Sequence, residues 1–186
     1  MTLATMALTV DGRRIEAQPG QTILEAAEDA GIYIPRLCWM KGLLPSGSCR
    51  VCTVRVNGRA LAACTQPVAP GMVVENDSAE LSALRRDIID MLFVEGNHFC
   101  MVCVKSGSCE LQALAYRFGI AAPRYPFAFP QRARDASHPE ILLDRDRCIL
   151  CARCVRASRE LDGKSVFGFA GRGAAKSIAV DAAEGL

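Results

Sequence analysis

Ten cysteines in 186 residues are the strongest constraint on this chain, and they are not scattered. They fall into three sets: Cys38, Cys49, Cys52 and Cys64; then Cys100, Cys103 and Cys109; then Cys148, Cys151 and Cys154. The N-terminus "MTLATMALTV" has neither the basic start nor the long apolar run of a secretory signal. In a reducing compartment, clustered cysteines point to metal rather than to disulfides. The expectation is therefore a cytoplasmic protein whose fold is organised around metal centres.

The first set has ten, two and eleven residues between its cysteines, with "LLPSGSCRVC" at its core. Four thiolates can hold a flat two-iron, two-sulfur cluster. Ser46, Gly47 and Ser48 let the backbone come close enough to point N–H groups at the sulfurs. Zinc also takes four cysteines, but zinc ribbons show two short C-x-x-C pairs and this set has one, so the spacing favours the 2Fe-2S cluster. The second set gains His98 in "GNHFCMVCVKSGSCELQ". Three thiolates and one imidazole can hold a four-iron, four-sulfur cube, and the neutral ring removes one negative charge from the site. The plainer reading of His98 is a loop histidine at a helix end; its place beside three cysteines favours ligation. The third set, in "CILCARCVRA", supplies three ligands for a second 4Fe-4S cube. Arg145, Arg147, Arg153, Arg156 and Arg159 surround it, either easing reduction of an anionic cluster or forming a solvated or docking face. Ten cysteines and His98 fall one ligand short of three full clusters.

The rest of the pattern places these sets on an α+β fold. "MALTV" and "RRIEA" flank Asp11-Gly12, and "RVCTVRV" and "RALAAC" flank Asn57-Gly58, so two hairpins are expected. Thr22 and Glu25 form a capping box for a helix that Gly31 ends. "MVVE" at 72–75 reads as one more strand, and the whole as a β-grasp, ferredoxin-like domain over residues 1–77. Asp77 and Glu80 are expected to cap a helix with Leu81, Leu84, Ile88, Met91 and Leu92 on its apolar face, ending near Gly96. "ELQALAYRF" gives another helix, completing a small helical His/Cys3 domain over 78–122. Residues 123–139, with four prolines, read as a linker or extended arm before a ferredoxin-like 4Fe-4S segment at 140–186. Sections this small bury little apolar area, so the clusters are expected to be structural as well.

The net charge of +2 comes without a long basic tract, which gives no reason to propose nucleic acid, and no apolar run is long enough for a membrane span. No nucleophile with an adjacent base stands out, nor a phosphate-binding glycine loop, so no catalytic residue is expected in this chain.

The order of the three sets resembles one family. "EGNHFC", "CELQALAYRFGI" and "RCILCARCVRASRELDGKSVFGF" look like the iron–sulfur diaphorase subunit of soluble NAD-reducing NiFe hydrogenases. The chain is also similar to the N-terminal part of the large iron–sulfur subunit of complex I and to the electron-input region of FeFe hydrogenases. The resemblance implies an electron-transfer subunit with one 2Fe-2S and up to two 4Fe-4S clusters. It implies a flavin- and NAD-binding diaphorase partner carrying FMN and NAD, and hydrogenase small and large subunits as the other partners. In the complex I and FeFe-hydrogenase relatives a longer spacer separates the histidine from its first cysteine; here Phe99 alone does, with Glu95 or water as the fallback ligand. The family takes the fourth ligand of its third cluster from a "CP" segment well beyond the triplet. For Cys148, Cys151 and Cys154 that ligand is expected from a longer form of the chain, with a partner subunit or a three-iron or open cube as the other routes. The alternatives for the whole are the same relay in an NADH:quinone oxidoreductase or an NAD-linked formate dehydrogenase, and, from another class, a zinc-stabilised scaffold.

Overall fold

Both predicted hairpins turn where a two-residue loop can follow the strand twist. The computed structural model describes residues 5–180. Strands β1 (Met6–Val10) and β2 (Arg13–Ala17) pair antiparallel across Asp11-Gly12, and β3 (Thr53–Val56) and β4 (Arg59–Ala62) across Asn57-Gly58. Both residues of each turn have positive φ, at 50° and 78° in the first and 48° and 83° in the second, the geometry that Asp-Gly and Asn-Gly adopt most readily. β5 (Val73–Glu75) joins the hairpins, parallel to β1 and antiparallel to β3, in a sheet of order β2-β1-β5-β3-β4.

Helix α1 (Ile23–Asp29) starts with the expected capping box: Thr22 Oγ1 accepts from the Glu25 N–H, and the Glu25 carboxylate accepts from the Thr22 N–H. It buries Ile23, Leu24, Ala26 and Ala27 in one core with Leu8, Val10, Ile15, Val54 and Val74 from the sheet. One helix over a mixed five-stranded sheet is the β-grasp arrangement.

By its contacts the described chain divides into two compact units: residues 5–39 with 45–88, and residues 40–44 with 89–180. Helix α2 (Ala79–Val94) contains the second boundary. Ser78 rather than Asp77 caps it, its hydroxyl accepting from the Leu81 N–H at 3.4 Å; the Asp77 N–H instead donates to Asp11. The buried face also differs from the expected one. Leu81, Arg85, Ile89, Asp90 and Val94 are buried, whereas Leu84 and Met91 are exposed. Two charged residues occupy the inner face, so apolar periodicity pointed about one residue away from it.

In the second unit, α3 (Glu110–Arg117) and α4 (Arg153–Glu160) each follow a cysteine loop. Residues 134–138, inside the segment read as an arm, form β6 (Arg134–His138), paired with β7 (Ile141–Asp144). A second ribbon joins β8 (Phe167–Ala170) to β9 (Ser177–Val180). Segment 40–44 is held by α4: the Leu44 N–H donates to Glu160 at 2.7 Å, and Arg156 donates to the Leu44 carbonyl.

Candidate metal centres

The first cysteine set closes on itself within the β-grasp unit. Cys38 follows α1, Cys49 and Cys52 precede β3, and Cys64 follows β4. Cys38, Cys52 and Cys64 are almost fully buried. As thiols the four form one hydrogen-bonded group. Cys49 and Cys64 hold the Cys38 thiol well below its ordinary range. Cys64 brings Cys52 down to about 7. Cys49 and Cys64 are pushed up, by Cys38 and, for Cys64, by Cys52 as well. The backbone also faces these sulfurs. The Cys38 N–H donates to Cys49 Sγ at 3.4 Å, and the Val51 N–H donates to the same sulfur. Arg50, between Cys49 and Cys52, has φ 60°, a left-handed conformation that a residue with a Cβ adopts at a cost. Gly47 has φ 65°, and a Cβ there would stand 2.9 Å from Thr65 Cγ2. A buried thiol group ringed by N–H donors on a strained loop fits an anionic cluster.

The second set converges too. His98, Cys100, Cys103 and Cys109 line one narrow cavity with Phe93, Lys105, Ser106, Leu111 and Gln112. His98 Nε2 is buried without a hydrogen-bond partner, which a ligand bond would satisfy. Burial, then the charges of Arg147 and Arg132, lower the His98 pKa and keep the ring neutral, the form that ligates. Its position is fixed from two sides. The Asn97 N–H donates to Asp146 O at 2.8 Å, and the Asn97 side chain donates to Pro130 O at 2.7 Å. Gln112, which sequence reasoning left without a role, accepts from the Gly107 N–H at 2.7 Å and donates to Ser106 at 3.3 Å, fastening the loop before Cys109.

The third set enters α4. Leu150 and Ala152, between its cysteines, have φ 53° and 60°. The Leu150 N–H donates to Cys148 Sγ at 3.4 Å. Burial raises the pKa of Cys148 and Cys154. Two residues in the left-handed region, two positions apart, are a costly backbone that something must hold, and a cube gripped by all three sulfurs would do so. The Arg153 guanidinium, beside Cys154, makes a double hydrogen bond to the Glu110 carboxylate, beside Cys109, at 3.0 and 2.6 Å. Among the described residues, no three of His, Cys, Asp and Glu are grouped to hold a single metal ion; an iron–sulfur cluster spreads its ligands around several atoms.

A β-grasp unit with a four-thiol pocket, followed by two more cysteine loops, defines an iron–sulfur protein of the electron-transfer class. Comparison with known proteins makes this specific. Residues 4–79 match the 2Fe-2S iron-sulfur cluster binding domain, 85–124 the NADH-ubiquinone oxidoreductase-G iron-sulfur binding region, and 138–185 the ferredoxin-like domain of NADH-quinone oxidoreductase subunit 3. The chain is 42% identical over 176 residues to the gamma subunit of the NAD-reducing hydrogenase HoxS from Cupriavidus necator, covering 94% of this chain and 75% of that one. It belongs to the family of NAD-reducing hydrogenase gamma subunits. A crystal structure of an NAD+-reducing NiFe hydrogenase in the H2-reduced state contains a chain that superposes with a TM-score of 0.94 at 49% identity, over 98% of this chain and 77% of the other. More distant relatives are much longer. The chain is 38% identical to the mitochondrial NADH-ubiquinone oxidoreductase 78 kDa subunit of Candida albicans and to the NADPH-Fe(3+) oxidoreductase subunit alpha of Geobacter sulfurreducens, but spans only 24% and 21% of them. No helix among the described residues is long and apolar enough to cross a membrane.

Proposed function

We propose that this chain relays single electrons between a flavin- and NAD-reacting diaphorase subunit and the small and large subunits of a NiFe hydrogenase, in the cytoplasm. Cys38, Cys49, Cys52 and Cys64 hold a 2Fe-2S cluster within residues 1–77. His98, Cys100, Cys103 and Cys109 hold a cube within 78–122. Beyond the 123–139 connection, Cys148, Cys151 and Cys154 hold a second cube. The clusters, when bound, supply the redox chemistry. The protein's own residues place the clusters, exclude water and tune each one. FMN and NAD belong to the diaphorase partner.

The observation that carries the relay is the Glu110–Arg153 fork, which ties the residue after Cys109 to the residue before Cys154. Two cube sites joined through adjacent residues suit stepwise electron transfer. Exposed apolar side chains beside the second set support life in a complex: Phe99, Met101, Val102 and Val104 flank Cys100 and Cys103, with Met101 97% exposed, and such a patch favours a protein partner.

The test is iron per chain and EPR of the anaerobically purified complex reduced with NADH. About ten irons, with a two-iron signal and two cube signals, are expected. Zinc in place of iron, or clusters that NADH does not reduce, would rule the reading out.

A further inference from the structure

Among the described residues, the buried arginines are Arg85 and Arg156, at 3% and 5% exposure. A guanidinium stays protonated throughout the range in which proteins fold, so burying it requires well-placed acceptors. Both find them in the backbone of a cysteine loop. Arg85, on α2, donates to Val51 O at 3.2 Å, to Thr53 O at 2.8 Å, and to Asn76 O and Oδ1, each at 2.8 Å. Val51 and Thr53 are the two neighbours of Cys52. Arg156, on α4, donates to Ala152 O at 3.3 Å and to Cys151 O at 3.4 Å, as well as to Leu44 O. Its first two acceptors are a ligand of the third set and the residue that follows it.

A carbonyl that accepts from a cation polarises its whole peptide, so the N–H on the far side becomes a stronger donor. For Val51 that N–H is the backbone N–H of Cys52 itself. Arg85 therefore grips one end of a peptide whose other end is the N–H of a cluster ligand, Cys52. Arg156 grips the Cys151–Ala152 and Ala152–Arg153 peptides in the same way, within a loop whose strained residues, Leu150 and Ala152, need holding. Reduction adds one negative charge to a cluster. Fixed N–H dipoles and a nearby cation in a poorly solvated site stabilise that added charge.

We propose that Arg85 and Arg156 are positioning residues, one for the two-iron site and one for the Cys148, Cys151 and Cys154 cube, and that each biases its own cluster toward the reduced state. The inference rests on the ligand sets proposed above.

The experiment is a potentiometric EPR titration of the intact complex, with iron per chain measured, for wild type, Arg85→Gln, Arg85→Lys, Arg156→Gln and Arg156→Lys. Arg85→Gln is expected to lower the reduced-to-oxidised ratio of the two-iron cluster about tenfold at a fixed ambient potential, equivalent to about 59 mV for one electron. Both cubes should keep their potentials in that variant. Arg156→Gln is expected to do the same to the third-set cube alone. The lysine variants keep the charge but lose the fork, and their shifts should fall between wild type and glutamine. Full iron with unchanged potentials in the glutamine variants overturns the proposal, and so does an equal shift of all clusters. If a glutamine variant does not assemble, its lysine counterpart decides, and an unchanged potential there overturns the proposal at that site. A wild-type complex with no two-iron signal overturns the ligand assignment itself, a different failure from iron-replete variants whose potentials do not move.

Discussion

At position 96 there is room for a hydrogen and nothing more. A Cβ on Gly96 would stand 2.7 Å from Asp146 O and 2.7 Å from His98 Nε2. Asp146 O is backbone and also accepts from the Asn97 N–H, so the His98 ring is what must move. Gly96→Ala is therefore expected to push His98 from its cavity and empty that site, lowering iron by about four per chain. Iron analysis with EPR checks this: the signals of the other two clusters should persist, and a full iron complement would show that His98 is not needed. Asp90 invites a different contrast. Its carboxylate is fully buried, Oδ2 accepts from Arg124 Nε at 2.6 Å, and Oδ1 has no partner. The arginine side chain is half exposed. Arg124→Ala strands a buried charge and is expected to cost about 3 kcal/mol or more. Asp90→Asn removes that charge and leaves an arginine that can reach water, so it should cost less. Urea denaturation midpoints order the two variants, and the reverse order would contradict the argument.

Elements whose signals are local were legible from the residues alone. Asp11-Gly12 and Asn57-Gly58 fix their hairpins because the turn geometry requires those residues, and Thr22 with Glu25 fixes the start of α1. Elements whose logic is tertiary were not. The inner face of α2 carries Arg85 and Asp90 because backbone carbonyls and Arg124 wait for them, and no periodicity reports that. Strands β6 and β7 have no fully buried residue, so neither face shows apolar alternation. Strands β8 and β9 lay in sequence too weakly patterned to read. The cysteine sets were legible as sets through spacing, whereas the side chains that brace them, Gln112, Arg85 and the Glu110–Arg153 fork, sit outside any spacing rule. That fork permits a separate prediction. Glu110 is mostly exposed, so Glu110→Gln should change stability by less than about 1 kcal/mol. What it should change is the placement of α3 against α4. Full iron, a urea midpoint near wild type and a weaker spin–spin interaction between the two reduced cubes are expected. An unaltered interaction would mean that the fork does not set the spacing.

The two units differ in what holds them together. The β-grasp unit has a continuous core of Leu8, Val10, Ile15, Ile23, Leu24, Val54, Val74 and their neighbours, with Cys52 and Cys64 among its members. The second unit buries few apolar side chains among its described residues: Leu43, Ile89, Val94, Leu111, Leu114, Ala115, Ile120, Ala152 and Ile178. At about 25 cal/mol per Å² of buried apolar surface, so thin a set offsets little of the entropy of ordering such a length of chain. Ligand bonds to the two cubes would supply the difference, as metal does in other small metal-bound domains. Trp39 makes the contrast measurable, because it is the chain's only tryptophan and lies buried in the core of the first unit. After the clusters are oxidised and their iron removed with a chelator, helical circular dichroism from α3 and α4 should fall. Proteolysis should then begin in residues 98–110 and 145–155. Trp39 emission should stay at the short wavelength of a buried indole until denaturant is added. Simultaneous loss of helix and a red shift of Trp39 would show that the clusters support both units alike, and an apoprotein resistant throughout would show that they support neither.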